Sequence, residues 1–226
     1  MEDRPVIMLP VSDLWHTKWS CPPYLVPPFH PHLIPAWGLL ILQQKEYPHE
    51  MNIIPLLRSH TLIVLYARHA ARQESAALTA ELALLGSVTV LDGGNRFVPY
   101  RVAHLLRRKT VDVAAASQRI FVRRAFTCYE MNSLLADTPA LQQPCLILDL
   151  LNTFYDDHVH TREVSRLLKI CLDHIHRLQV SAPVIVTLGP PLAEERASLL
   201  QQVCERADEV ITTTIPVQQA TQPALF

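Results

Sequence analysis

Apolar and polar positions divide the chain into two regimes. From residue 56 onward, short apolar runs alternate with longer segments whose apolar positions recur at helical spacing. The runs TLIVLY (61–66), SVTVL (87–91), RIFVRRAF (119–126), CLIL (145–148), PVIVTL (183–188) and EVITTTI (209–215) predict six strands from their β-branched and aliphatic content. Residues 75–85 predict an Ala/Leu-rich helix closed by Gly86, and Pro99 opens a helix with Val102, Ala103, Leu105 and Leu106 on its apolar face. Thr127 and Glu130 form a T-x-x-E capping box for a helix running to about residue 136. Residues 161–179 set Val164, Leu167, Leu168, Cys171, Ile175 and Leu178 on one stripe, and residues 192–207 predict a last helix after Pro190 and Pro191. Six strands alternating with five helices predict a doubly wound α/β domain, a mostly parallel sheet with helices on both faces.

Before residue 56 the pattern is different. Ten of the 18 prolines and all three tryptophans lie there, with CPPYLVPPFHPHLIP at the centre. Proline at this density blocks helix and sheet interior, so the segment reads as extended or irregular. Its aromatic and aliphatic content argues against a solvated linker and for an arm laid across its own domain or a neighbour. The expected organisation is an arm (1–55), an α/β domain (56–216) and a C-terminal tail (217–226). His30 and His32 in the arm read as surface residues.

Composition narrows the function classes. The chain has 226 residues, is 49% hydrophobic and has a net charge of −1. It lacks the strongly basic balance of a protein that holds nucleic acid by charge alone, so any DNA contact must come from a local patch. Five scattered cysteines with no C-x-x-C pair read as reduced thiols of a cytoplasmic protein. Residues 1–10 carry Glu2 and Asp3 without a long apolar core, unlike a signal peptide, and apolar runs such as 39–42 are too short to cross a bilayer.

Candidate chemistry centres on PCLILDLLNTFYDD (144–157). An apolar run ending on Asp149 delivers a carboxylate to the edge of a parallel sheet, where open α/β sheets bind ligands. The alternative is that Asp149 only caps the following segment. Asp156, Asp157, His158 and His160 could join Asp149 in a divalent-metal site, or simply form a solvated loop capping the helix from Thr161. Arg107, Arg108 and Lys109 suit a helix C-terminus through the macrodipole alone. With Arg123, Arg124, Arg162, Arg166 and Lys169 they could instead form a basic surface for DNA phosphates.

Four segments in order, VTVLDGGNRFVPYRVAHLL, RIFVRRAFTCYEMNSLL, CLILDLLNTFYDD and RLLKICLDHIHRLQVSAPVIVT, resemble the core of the RecA superfamily, nearest to the archaeal and eukaryotic recombinases and their KaiC-type relatives. In that family the first is a strand ending Asp-x-Glu-Gly-x-Phe with an Arg-containing helix after it. The second ends Arg-Ala-Phe, the third is the Walker B strand, and the fourth ends Ile-Thr-Asn-Gln. The resemblance covers residues 61–215.

Departures shape what the resemblance implies. Where the family has the phosphate loop G-x-x-x-x-G-K-S/T, this chain has ARHAARQES (67–75), with no glycine for backbone approach and no lysine. The family's catalytic glutamate falls on Gly94, and its polar sensor falls on Thr187-Leu188-Gly189. The Walker B aspartate survives as Asp149. The expectation is therefore a non-hydrolysing RecA-like accessory or scaffold protein in recombination or repair, without a membrane segment. It would contact a RecA-type recombinase or a second copy of itself through the arm, or DNA. An alternative is an ATPase with an atypical loop, holding ATP and Mg²⁺ through Arg68, Arg72, Ser75, Asp92 and Asp149; a second is a metal-dependent hydrolase.

Overall fold

The computed structural model describes residues 54–57, 60–191 and 193–213. Apart from Ile54 and Pro55, which belong to a 3₁₀ turn at Ile54–Leu56, the arm expected at 1–55 lies outside the described residues, as does the tail at 217–226.

Among the described residues there are six strands: β1 (Leu62–Ala67), β2 (Val88–Asp92), β3 (Ile120–Arg124), β4 (Cys145–Leu148), β5 (Val184–Leu188) and β6 (Glu209–Thr213). They form one sheet in the order β3-β2-β4-β5-β1-β6, with every pairing parallel. β2, β4 and β5 are buried at every position, which is why they read as unbroken apolar runs. At the β3 edge only Ile120 is fully buried, and the strand tolerates Arg123 and Arg124.

Among the described residues six α-helices accompany them: α1 (Arg72–Leu85), α2 (Pro99–Arg107), α3 (Val113–Gln118), α4 (Cys128–Asp137), α5 (Thr161–Gln179) and α6 (Ala197–Cys204). Parallel crossovers are right-handed, so the direction of each step along the sheet decides which face its helix covers. The steps from β1 to β2 and from β2 to β3 run one way, and the steps from β3 through β6 run the other. Accordingly Ile63 and Leu65 of β1 pack with Leu78 and Leu82 of α1, Val102 and Leu106 of α2, and Ala116 of α3. Leu62 and Val64 pack with residues of α4, α5 and α6, such as Leu135, Leu168 and Leu200. Alternate side chains of one strand thus feed two cores. α5 buries seven residues, Val164 through Leu178, and truncating a fully buried one such as Leu168 to alanine costs about 2–5 kcal/mol.

Several boundaries differ from the sequence expectation for local reasons. α1 begins at Arg72 rather than Ser75, because Ala70 and Ala71 both adopt left-handed conformations (φ 49°) and turn the chain into the helix early. The short α3 was not expected; Asp112 caps it by accepting from the Ala115 amide at 2.9 Å. The last helix is divided into a 3₁₀ turn, Glu194–Arg196, and α6, which ends at Cys204. The capping box of α4 is present: Thr127 Oγ1 accepts from the Glu130 amide at 3.1 Å, and the Glu130 carboxylate accepts from the Thr127 and Phe126 amides.

Candidate functional site

At three places in the sheet, neighbouring strands send their following helices to opposite faces: between β3 and β2, between β2 and β4, and between β5 and β1. Such switch points open the crevices where α/β domains hold ligands. Asp149 follows β4 directly, so it stands at the β2–β4 switch, one strand from the β5–β1 switch.

Asp149 is bound on all sides. It adopts a left-handed conformation (φ 49°, ψ 50°), and its amide donates to Thr187 Oγ1 at 2.8 Å, which ties the end of β4 to β5. Its carboxylate accepts from Arg96 Nε at 2.7 Å, with the Asp149 side chain 4% exposed and the Arg96 side chain 32%. Burial pushes the Asp149 pKa up, while Arg96 and the Gly189 backbone pull it part of the way back.

Arg96 is aimed by Asp92. The Asp92 carboxylate is fully buried and accepts from the Arg96 amide at 2.8 Å, the Phe97 amide at 3.1 Å and Arg124 Nε at 3.0 Å. This folds the segment Gly93-Gly94-Asn95 back over the end of β4. The approach is close: Gly93 N–H donates to Leu148 O at 2.8 Å, and a Cβ on Gly94 would stand 2.5 Å from both Cβ and Oδ2 of Asp149. No side chain fits at position 94 while Asp149 holds this place.

The loop between β1 and α1 offers phosphate little. The Ala70 amide donates to Ala67 O and the Arg72 amide to His69 O, so both are engaged inside the loop. The Ala70 and Ala71 methyls are buried, and Ala70 Cβ lies against Gly189 beside the Asp149 carboxylate. Ser75 is buried and donates to Arg72 O in its own helix. Arg72 Nε is buried without a hydrogen-bond partner. Burial lowers its pKa, and the neighbouring charges of Arg96 and Arg101 lower it further. Of the five residues expected to hold nucleotide, Asp92 and Asp149 are joined through Arg96, Arg72 lies nearby, Ser75 points inward and Arg68 is exposed. Arg96 and Arg101 were not anticipated; the one sequence signal for Arg96 is its position four residues after Asp92.

The eight expected DNA-contacting residues do not form one surface. Arg107, Arg108 and Lys109 end α2 on one face of the sheet, with Lys109 paired to Glu81 at 2.7 Å. Arg162, Arg166 and Lys169 lie on α5 over the other face, with Arg166 paired to Glu163 at 2.7 Å. Arg123 and Arg124 are on the edge strand, and Arg124 is held by Asp92. Phe126 and Tyr129 are exposed near the start of α4, aromatics that the sequence reading did not place beside these cations.

The acidic and imidazole loop after β4 acts locally. Asp156 accepts from both the amide and Nδ1 of His158, bonds that hold its pKa down, and His160 Nδ1 accepts from the Arg162 amide at the start of α5. Among the described residues, no group of three or more His, Cys, Asp or Glu side chains is arranged to hold a metal ion. Arg196, 5% exposed, crosses from the loop after β5 to donate to the Asp156 and Val159 carbonyls. Tyr155 donates to Gly189 O, and burial with the nearby Asp149 charge keeps its phenol protonated. Among the described residues four cysteines are free; burial lifts Cys145 and Cys171 to about 12 and Cys204 to about 11, so these thiols are poor nucleophiles.

In comparisons with known proteins, no family model matches the chain and no curated protein matches it. Fold and site define a doubly wound, all-parallel α/β domain whose switch-point carboxylates are neutralised by arginines of the same chain. Among the described residues no helix is long and apolar enough to cross a membrane.

Proposed function

We propose that this protein is a non-hydrolysing, RecA-like accessory or scaffold subunit of the cytoplasm, working in DNA recombination or repair through contacts with a RecA-type recombinase, a second copy of itself, or DNA. The observation that carries the reading is the engagement of Asp149. In the resembling family this carboxylate serves Mg²⁺ and nucleotide; here Arg96 takes it at 2.7 Å and the Gly94 backbone lies against it. A glycine at the catalytic glutamate position has no group to deprotonate water. The internally bonded amides of Ala70 and Arg72 and the inward Ser75 hydroxyl also support a domain that keeps the scaffold without the phosphate chemistry. The proline-rich arm, with its aromatic content, suits a segment laid on a neighbouring protomer. That part of the proposal rests on fold-level analogy.

Phosphate release from Mg²⁺-ATP, with and without single-stranded DNA, tests the reading. The expected rate is that of buffer. Turnover that Asp149→Asn abolishes overturns it in favour of an ATPase with an atypical loop, and turnover that a chelator abolishes with other substrates favours a metal-dependent hydrolase.

A further inference from the structure

α2 contains no acidic residue, and its outward side consists of Tyr100, Arg101, His104 and Arg107, with Arg108 as the C-cap. All five are exposed, Tyr100 at 63%, and the rings of Tyr100 and His104 lie 6.4 Å apart one turn from each other. Among the described residues, Arg101, Arg107 and Arg108 have no ion-pair partner. Lys109, next along, is held by Glu81, which ends the strip.

At the other end the strip meets the carboxyl edge of the sheet. Arg72, from the start of α1, lies close enough to Arg96 and Arg101 for their charges to act on it, and its Nε is buried without a partner. The two carboxylates whose charges act on Arg72 are already engaged: Asp149 accepts from Arg96, and Asp92 accepts from Arg124. Guanidinium charge therefore exceeds carboxylate charge along this side of a chain whose net charge is −1.

We propose that this strip, Arg72, Arg101, His104, Arg107 and Arg108 beside Tyr100, docks an acidic segment of a partner protein. The proposal rests on the reading that the protein works through contacts, and it names the surface and the partner's chemistry. From Arg101 to Arg108 the strip runs seven residues, about 10 Å at the helical rise, so its arginines stand two turns apart with the His104 ring at the turn between. That is the spacing of carboxylates on two turns of an acidic helix. Nucleic acid fits less well, because so short a row neutralises few phosphates and a chain of net charge −1 adds no long-range attraction. One exposed tyrosine also makes a poor stacking platform for successive bases.

The test is fluorescence anisotropy of a labelled oligoglutamate peptide with the full-length protein at low salt. Three forms are compared: wild type, Arg101→Glu/Arg107→Glu, and the opposite-face control Arg162→Glu/Lys169→Glu, each checked by circular dichroism for retained fold. The expected result is binding that weakens about tenfold or more in the α2 variant and is unchanged in the α5 variant. Binding that is absent in the wild type, or equally weakened by both variants, overturns the proposal. So does an oligothymidylate that binds more tightly than the peptide and is lost in the α2 variant, because it would assign the strip to nucleic acid. ATP turnover measured on the same wild-type sample tests the accessory reading separately, since a chain that hydrolyses ATP could still bind the peptide and a chain that does neither contradicts only the docking strip.

Discussion

Arg96 donates through Nε to the Asp149 carboxylate at 2.7 Å, across 53 residues of chain, and so joins the loop after β2 to the end of β4. The bond exists because Asp92 first fixes the Arg96 backbone, and because Gly94 lets that backbone lie against Asp149. One carboxylate positions the cation that neutralises the other.

Removing the cation should cost more than removing the anion. Arg96→Leu leaves a buried carboxylate short of a partner and is expected to destabilise the fold by about 1–3 kcal/mol. Asp149→Asn leaves Arg96 partly exposed to water, so its cost is expected to be smaller. Urea unfolding of both single variants and the double variant should show coupling between them; additive effects would mean that the bond contributes nothing to stability.

Position 94 should reject even a methyl group. Gly94→Ala is expected to cost about 1–3 kcal/mol through the clash with Asp149. Gly86→Ala is the control, since nothing lies within 4 Å of its added Cβ and its φ of 175° is ordinary extended backbone. Its expected change is within about 0.5 kcal/mol. Equal melting shifts for the two variants would contradict the close approach at Gly94.

Burial raises the Asp149 pKa above its ordinary 3.8, so the folded chain holds this proton more tightly than the unfolded chain. The group's contribution to stability is then fully present below 3.8 and is lost as pH rises through the raised value. Relative to Asp149→Asn, the wild type should lose stability in denaturant titrations as pH rises above the ordinary carboxylate value of 3.8. A difference that grows in the wild type's favour over the same window would show that Arg96 outweighs burial.

The capping box on α4 gives a test away from the site. Thr127→Ala removes the acceptor for the Glu130 amide and is expected to cost about 1 kcal/mol, read as a lower urea midpoint with an unchanged slope.

The sequence showed strands buried on both faces and the long periodic helix most clearly. β4 and α5 have the bounds their patterns predict, because an unbroken apolar run and a repeated 3.6-residue stripe have few alternative placements. α3 escaped notice because its buried side is a single alanine and its cap, Asp112, stands in an unremarkable stretch. The early start of α1 was hidden for a similar reason: alanine carries no signal for the left-handed backbone that Ala70 and Ala71 adopt. At the candidate site, Asp92 and Asp149 were legible as acids ending apolar runs. Arg96 was not, since its direction depends on a carboxylate accepting two amides within a turn and on a second carboxylate 53 residues away. The basic residues looked like one set in sequence, but the doubly wound topology places α2 and α5 on opposite faces.

The central claim is that the switch point is closed to nucleotide by Arg96, Gly94 and the loop of Ala70 and Ala71. Equilibrium binding of a fluorescent ATP analogue to the wild-type protein, with and without Mg²⁺, tests it most directly. No saturable binding is expected up to millimolar nucleotide, where a Kd corresponds to about −4 kcal/mol. Tight, Mg²⁺-dependent binding that is lost in Asp149→Asn would contradict it.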